Sequence, residues 1–364
     1  MCGPRWPGFS REDDGGAMKA LVYRGEGVKE WAEVPDPVVE APEDVVVRVG
    51  ATTICGTDLH ILKGDVPAVA PGRILGHEAV GTVVAAGPGV AKHKVGDRVL
   101  VGCVSICGEC AYCSKGMPSH CLHGGSWILG HLIDGTQAEL VRVPYADTSC
   151  YVIPDGASDE AALMLSDILP TGYEIGVLNG HVKHDDVVAV IGAGPVGLAA
   201  MLTMAPLGPA HVIAIDLDDN RLEVAKQFGA THTFRADDPD LVEKVRGITP
   251  NGLGVDVAVE AVGTPATWAT AISLIDPGGH VAVVGVHGMP VEFHLETEWI
   301  RNITVTTGLV NTTSIPTLLG EVASGAIDSE KFITHRFKLD DIDSAYEVFG
   351  NAATNKALKV ALTR

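Results

Sequence analysis

The sequence is short of positive charge: 26 Lys and Arg stand against 46 Asp and Glu, a formal net charge of −20. So acidic a total disfavours nucleic acid or an anionic membrane, either of which requires a basic face, and neither is an expected partner. Its start shows no basic segment followed by an apolar one, so no secretory route is predicted and a cytoplasmic location is expected. No apolar run reads as a membrane span. Residues 187–210 carry no charge, but glycines and a proline break them into a strand, a turn and a helix. Aromatic residues are sparse at 5%, yet 46% hydrophobic and 20% charged residues make an ordinary globular balance, which excludes a disordered or fibrous chain. At 364 residues, about two domains are expected.

Residues 1–17 have no periodicity and read as a flexible extension outside the fold. From 18 to about 155, short β-branched or alternating runs such as 45–49 and 81–85 alternate with Gly, Pro and Asp, the pattern of an antiparallel β-rich domain. From about 185 to 310 the texture changes. Apolar strand candidates at 187–191, 212–215, 257–259, 281–284 and 303–307 alternate with helical segments at 195–207, 219–228, 239–246 and 265–275. Such alternation predicts an α/β domain, a doubly wound parallel sheet covered on both faces. The tail holds a short helix (342–349) and a final strand (357–362) that return to the first domain.

The run 187–191 leads directly into Gly192-Ala193-Gly194-Pro195-Val196-Gly197 and then a helix. Glycines at these positions permit a tight turn and close approach of backbone to a pyrophosphate, which rests on the helix N-terminus. Asp216 ends the next strand candidate, nineteen residues past Gly197, where the dinucleotide fingerprint places an acidic residue. A carboxylate there accepts hydrogen bonds from the ribose hydroxyls and repels a 2′-phosphate, so NAD is favoured over NADP. Arg221 nearby works against that preference. The plainer reading makes Asp216 a cap for the helix beginning near Asp219.

Five of the eight cysteines fall within nineteen residues. With no export signal, such clustering indicates metal rather than disulfides. Cys107, Cys110, Cys113 and Cys121 supply four thiolates in one loop, the donor set of closed structural zinc. An iron–sulfur cluster is the competing reading, but the last spacing departs from the bacterial pattern and no proline follows Cys121. Cys103 falls outside the pattern and reads as a buried thiol.

A second set lies in the β-rich domain: Cys55-Gly-Thr57-Asp58-Leu-His60 and Gly76-His77-Glu78, with Asp167 far downstream. Cys55, His77 and a carboxylate would give zinc three protein ligands and an open fourth position. Singly, they read as a core thiol, a turn histidine and a helix cap, and spacing alone does not assemble them.

Taken together, C-G-T-D-L-H, G-H-E, the cysteine-rich lobe and G-A-G-P-V-G resemble the zinc-dependent medium-chain alcohol dehydrogenases, in family order and from Met18 to Arg364. The resemblance implies a GroES-like catalytic domain (18–175 and 320–364), a Rossmann domain (176–319) and an active site between them. It makes Cys55, His77 and Asp167 ligands of a catalytic zinc, with Glu78 beside it and the four-cysteine lobe holding a second ion. Thr57 matches the family's hydroxyl relay, His60 its solvent end, and Asp58 the residue that orients His77. Thr171, Val284 and Val286 match nicotinamide-lining positions, and Lys359 a pyrophosphate-binding arginine. Asp at 167, where animal members have Cys, and Trp127 in the substrate pocket resemble bacterial secondary-alcohol enzymes. The implied function is hydride transfer between NAD and a small secondary alcohol or its ketone, by a homotetramer or a dimer. A polyol, butanediol or threonine dehydrogenase shares every motif. A non-catalytic cofactor-binding sensor or structural protein is the reading from another class.

Overall fold

A computed structural model describes residues 16–250 and 252–364. All but the last two residues of the expected 1–17 extension therefore lie outside the described residues. Of those two, Ala17 is already in the fold, as it opens β1 (Ala17–Gly25), which pairs antiparallel with β2 (Val28–Pro35). Gly25 and Gly27 turn this hairpin at φ of +127° and +72°, a region closed to most side chains.

The chain continues through β3 (Val45–Thr53), β4 (Ala79–Ala86), β5 (Arg98–Val101), β6 (Leu140–Val143) and β7 (Cys150–Val152). The β-branched run of β3 pairs antiparallel with both β4 and β6, so its backbone is hydrogen-bonded along both edges. Val45, Val47, Val49, Val83 and Val99 form one fully buried core. At about 25 cal/mol per Å² of apolar surface, each such side chain contributes roughly 1.5–3 kcal/mol when removed from water.

Six parallel strands follow: β8 (Val187–Ile191), β9 (His211–Asp216), β10 (His232–Arg235), β11 (Val255–Glu260), β12 (Ile275–Val283) and β13 (Thr304–Thr307). Their order, β10-β9-β8-β11-β12-β13, is that of a Rossmann sheet. The order reverses between β8 and β11, which marks the crevice where such sheets bind ligands, at the carboxyl ends of the strands. Two differences from the sequence reading have local causes. The strand at β10 was not expected, because its four residues, His-Thr-Phe-Arg, are all half-buried at a sheet edge and lack the apolar signal. β12 begins at Ile275, ahead of its apolar core, with an irregular register past Asp276 to Gly279.

The chain then returns. β14 (Ile333–Lys338) pairs parallel with β15 (Lys359–Thr363), and β15 pairs antiparallel with β3, completing a seven-stranded sheet built from both chain ends. This is the GroES-like unit. The contacts divide the chain after Asp167 and after Val310, earlier at each point than 175 and 319. The helical segment starting at Ile168 belongs with the second unit because Gly172 lies against the backbone of Ala199 and Ala200, where a Cβ would be 2.6 Å from the Ala200 nitrogen. Residues after Val310 belong with the first, because Asn311 accepts a hydrogen bond from Ser119 and Thr312 one from Tyr151. Among the described residues, no helix is long and apolar enough to cross a membrane.

Candidate active site and metal centres

β3 ends where Ile54 is buried and Cys55 caps the helix Gly56–Leu62. Asp58, at the third helical position, reaches back so that its Oδ2 accepts the Cys55 N–H at 2.8 Å, which fixes the thiol at the helix entrance. One turn also carries Thr57, with Oγ1 3.7 Å from Cys55 Sγ, and His60, whose exposed ring meets Asp65 at 2.8 Å. His77 and Glu78 arrive from a turn at Gly76, where φ is +92° and a Cβ would lie 2.8 Å from the Gln137 backbone nitrogen. Asp167 follows the helix Asp159–Leu163.

These three segments converge. Asp167 Oδ2 lies 3.5 Å from His77 Nε2 and 3.8 Å from Cys55 Sγ, and donor atoms of Cys55, His77, Glu78 and Asp167 all lie within 4.8 Å of one another. Zinc bonds of about 2.3 Å to sulfur and about 2.0–2.2 Å to nitrogen and oxygen place tetrahedral ligands roughly 3.4–3.6 Å apart. The thiol, imidazole and carboxylate fit that ion. Burial alone would push the His77 ring down, but hydrogen bonds to Asp167 and Cys55 hold it well above its ordinary value. Burial raises the carboxyl of Glu78, against the pull of Lys359. Acidic groups packed around one imidazole are a site arranged for positive charge.

Lys359 corrects the expectation placed on it. Its ammonium is 1% exposed and donates to Glu78 Oε1 at 2.8 Å and to the Ile54 carbonyl at 3.2 Å. Held there, the ammonium is buried against Glu78 rather than presented to a pyrophosphate, and it neutralises Glu78 beside the candidate metal ligands. Asp58 makes no hydrogen bond to His77; its Oδ2 is taken by Cys55 and by Gln137 at 3.1 Å, and it acts on the ring by charge. Cys103 is buried, with Sγ 3.9 Å from Asp167 Oδ1, so it touches the carboxylate on the side away from Cys55. Trp127 makes a T-shaped contact with His77 at 6.1 Å between centroids and stacks on His131 at 4.2 Å.

In the cysteine lobe, Cys110 and Cys113 sulfurs are 3.5 Å apart and Cys107 and Cys113 sulfurs 4.0 Å, and all four thiols lie within 4.8 Å of one another. A tetrahedral four-sulfur zinc site has edges of about 3.8 Å. Sulfurs this close suit one ion rather than a multi-iron cluster. Backbone N–H groups already point at them. Donation from Cys113 and Leu122 lowers the Cys110 thiol to about 6, while desolvation pushes Cys113 up to about 12. With four protein donors, no position stays open for a reactant.

In the second unit each fingerprint glycine has its own reason. Gly192 has φ of +102°, and a Cβ on Gly197 would lie 1.9 Å from the Gly192 carbonyl oxygen. A Cβ on Gly194 would meet nothing within 4 Å, so open space lies before the helix Pro195–Met204, whose N-terminus has no side-chain cap. A phosphate fits that cradle. Pro195 and Val196 are half-buried in its first turn. Asp216 is buried at the end of β9, with Oδ2 accepting the Ala193 N–H at 2.7 Å and Oδ1 that of Asp218 at 2.9 Å. The cap of the following helix is Asp218, so Asp216 is left to link the glycine turn to β9. The Arg221 guanidinium stands 3.9 Å from Asp216 Oδ2. Thr171 is half-buried on the helix Ile168–Thr171, Val284 is half-buried and Val286 exposed beyond β12. Glu260, which sequence reasoning missed, is wholly buried at the end of β11, where it accepts from Val262 and Gly263 and lies 3.1 Å from His287 Nε2.

Two family models match: alcohol dehydrogenase GroES-like domain over residues 41–155 and zinc-binding dehydrogenase over 195–324. An alcohol dehydrogenase of Cupriavidus necator is 36% identical, covering 95% of this chain and 98% of that one. Zinc-dependent alcohol dehydrogenase 2 of Streptococcus pneumoniae superposes with a TM-score of 0.91 at 52% identity, covering 95% and 98% of the two chains. Alcohol dehydrogenase TADH of Thermus sp. ATN1 gives 0.88 at 37%, covering 95% and 99%. The chain belongs to the zinc-dependent medium-chain alcohol dehydrogenase family and is an alcohol dehydrogenase.

Proposed function

We propose that this enzyme transfers hydride reversibly between NAD and a small secondary alcohol or the matching ketone, with two zinc ions per chain. The observation that carries the reading is the convergence of Cys55, His77 and Asp167, with Glu78 alongside and paired to Lys359, on the spacing of ligands to one metal ion. A zinc ion there supplies a Lewis acid for an alkoxide, and NAD on the glycine turn supplies the hydride acceptor. The protein's own part is positional. Cys55 and His77 are held by the Asp58 cap and the Gly76 turn, and Lys359 neutralises Glu78 next to them. Thr57 stands at the thiol and His60 at the surface of the same helix, the two ends of a route by which an alcohol proton leaves. Trp127, in T-shaped contact with His77, supports a substrate wall suited to a short alkyl group.

Cofactor choice rests on Asp216, whose buried carboxylate would face a 2′-phosphate with like charge, against the weaker attraction of Arg221. Self-association as a tetramer or dimer is supported by β13, an open sheet edge flanked by exposed Met289, Leu295, Trp299, Ile300 and Leu309. Initial rates with 2-propanol, 2-butanol, primary alcohols and diols, each with NAD and NADP, test the reading. Turnover of the secondary alcohols with NAD is expected. Turnover of none of them, or a preference for NADP, overturns it.

A further inference from the structure

A buried polar chain links the C-terminal helix to the metal ligands. Tyr346, on the helix Ile342–Gly350, donates its hydroxyl to Gln137 Oε1 at 2.8 Å. Gln137 Nε2 donates to the Thr53 carbonyl and to Asp58 Oδ2, each at 3.1 Å. Asp58 Oδ2 in turn receives the Cys55 N–H at 2.8 Å. Tyr346, Gln137 and Asp58 are all buried, so water does not substitute for a lost partner.

The chemistry of the amide gives this chain a direction. The Thr53 carbonyl and the Asp58 carboxylate only accept here, so both require the NH2 end of Gln137. An amide alone is nearly symmetric and can turn over. The flipped orientation is poor because it would set Oε1 against the Thr53 carbonyl and the Asp58 carboxylate, and the Tyr346 hydroxyl, donating to Oε1, holds the other end of the amide in place. With the amide locked, Asp58 is pinned at the one oxygen that holds the Cys55 backbone; its other oxygen, Oδ1, is buried without a hydrogen bond. Pinning matters because, among the described residues, the carboxylate takes its hydrogen bonds from the Cys55 N–H and Gln137 alone.

We infer that Tyr346 and Gln137 are positioning residues of the catalytic metal site, acting through Asp58 on Cys55. The inference rests on the metal reading proposed above. Chelator-driven zinc release from the loaded protein tests it, in wild type and in two variants, Tyr346→Phe and Gln137→Met. Outer-shell losses of this type cost about 10–100-fold in metal retention or activity. One zinc equivalent should leave that much faster in each variant, the other at the wild-type rate, with kcat reduced and KM for NAD unchanged. Equal release rates in wild type and variants overturn the inference. So does equal acceleration of both equivalents, which would report general loosening. A wild-type protein that binds only one equivalent fails the metal reading itself, a result distinct from either.

Discussion

Replacing Lys359 with Met tests the reassignment of that residue most severely. Lys359 and Glu78 are each 1% exposed and 2.8 Å apart, 281 positions apart in the chain. Removing one partner of a buried pair leaves the other charge uncompensated, at about 3–5 kcal/mol, whereas removing both is often near neutral. Thermal unfolding at neutral pH should therefore show Lys359→Met strongly destabilised, by roughly 10 °C for a unit of this size. Glu78→Gln alone should also lose stability, with the ammonium left facing an amide and the Ile54 carbonyl. The double variant should recover most of the loss, so the coupling should be at least about 3 kcal/mol. Burial holds the Glu78 carboxyl above its ordinary value, and that shift grows without Lys359. A raised carboxyl stabilises fully below the unfolded value and loses that contribution as pH rises, so the single variant's deficit should widen from about pH 4.5 upward. Additive single effects, or a deficit independent of pH, would refute the reasoning.

Other outcomes follow from the same geometry. Gly197→Ala should destabilise the second unit, since its Cβ meets the Gly192 oxygen at 1.9 Å, whereas Gly194→Ala should fold normally and lose NAD affinity, as read by cofactor titration and melting. Asp216→Asn should lower kcat/KM for NAD by about 10–100-fold and narrow the gap to NADP, as measured by initial rates with each cofactor. Cys110→Ser should cost one zinc equivalent and soluble yield, measured by metal analysis, more than turnover per folded chain. Cys150, pushed up to about 12 by burial, should resist thiol reagents at pH 8 until the protein unfolds, as followed by labelling.

The second unit was the more legible half of the chain because parallel strands buried on both faces read as unbroken apolar runs, and a glycine turn has local requirements. The edge strand β10 escaped notice because a half-exposed edge carries no such run. The four cysteines of the lobe announce themselves by spacing, as one short loop holds them all. The other metal set does not: Cys55 and Asp167 are 112 positions apart, and only the family resemblance joined them beforehand. Lys359 shows the limit of that route. The resemblance matched it to a pyrophosphate-binding arginine, but β15 pairs with β3 and carries the side chain inward to Glu78. Gln137 and Tyr346 gave no signal, since a glutamine in a loop and a tyrosine on an amphipathic helix are unremarkable until the fold sets them side by side.

The most direct test of the catalytic centre is anomalous diffraction from crystals of the purified protein, collected on both sides of the zinc edge. Two peaks per chain are predicted, one amid Cys107, Cys110, Cys113 and Cys121 and one bounded by Cys55, His77 and Asp167. A peak in the cysteine lobe alone would contradict the proposed chemistry.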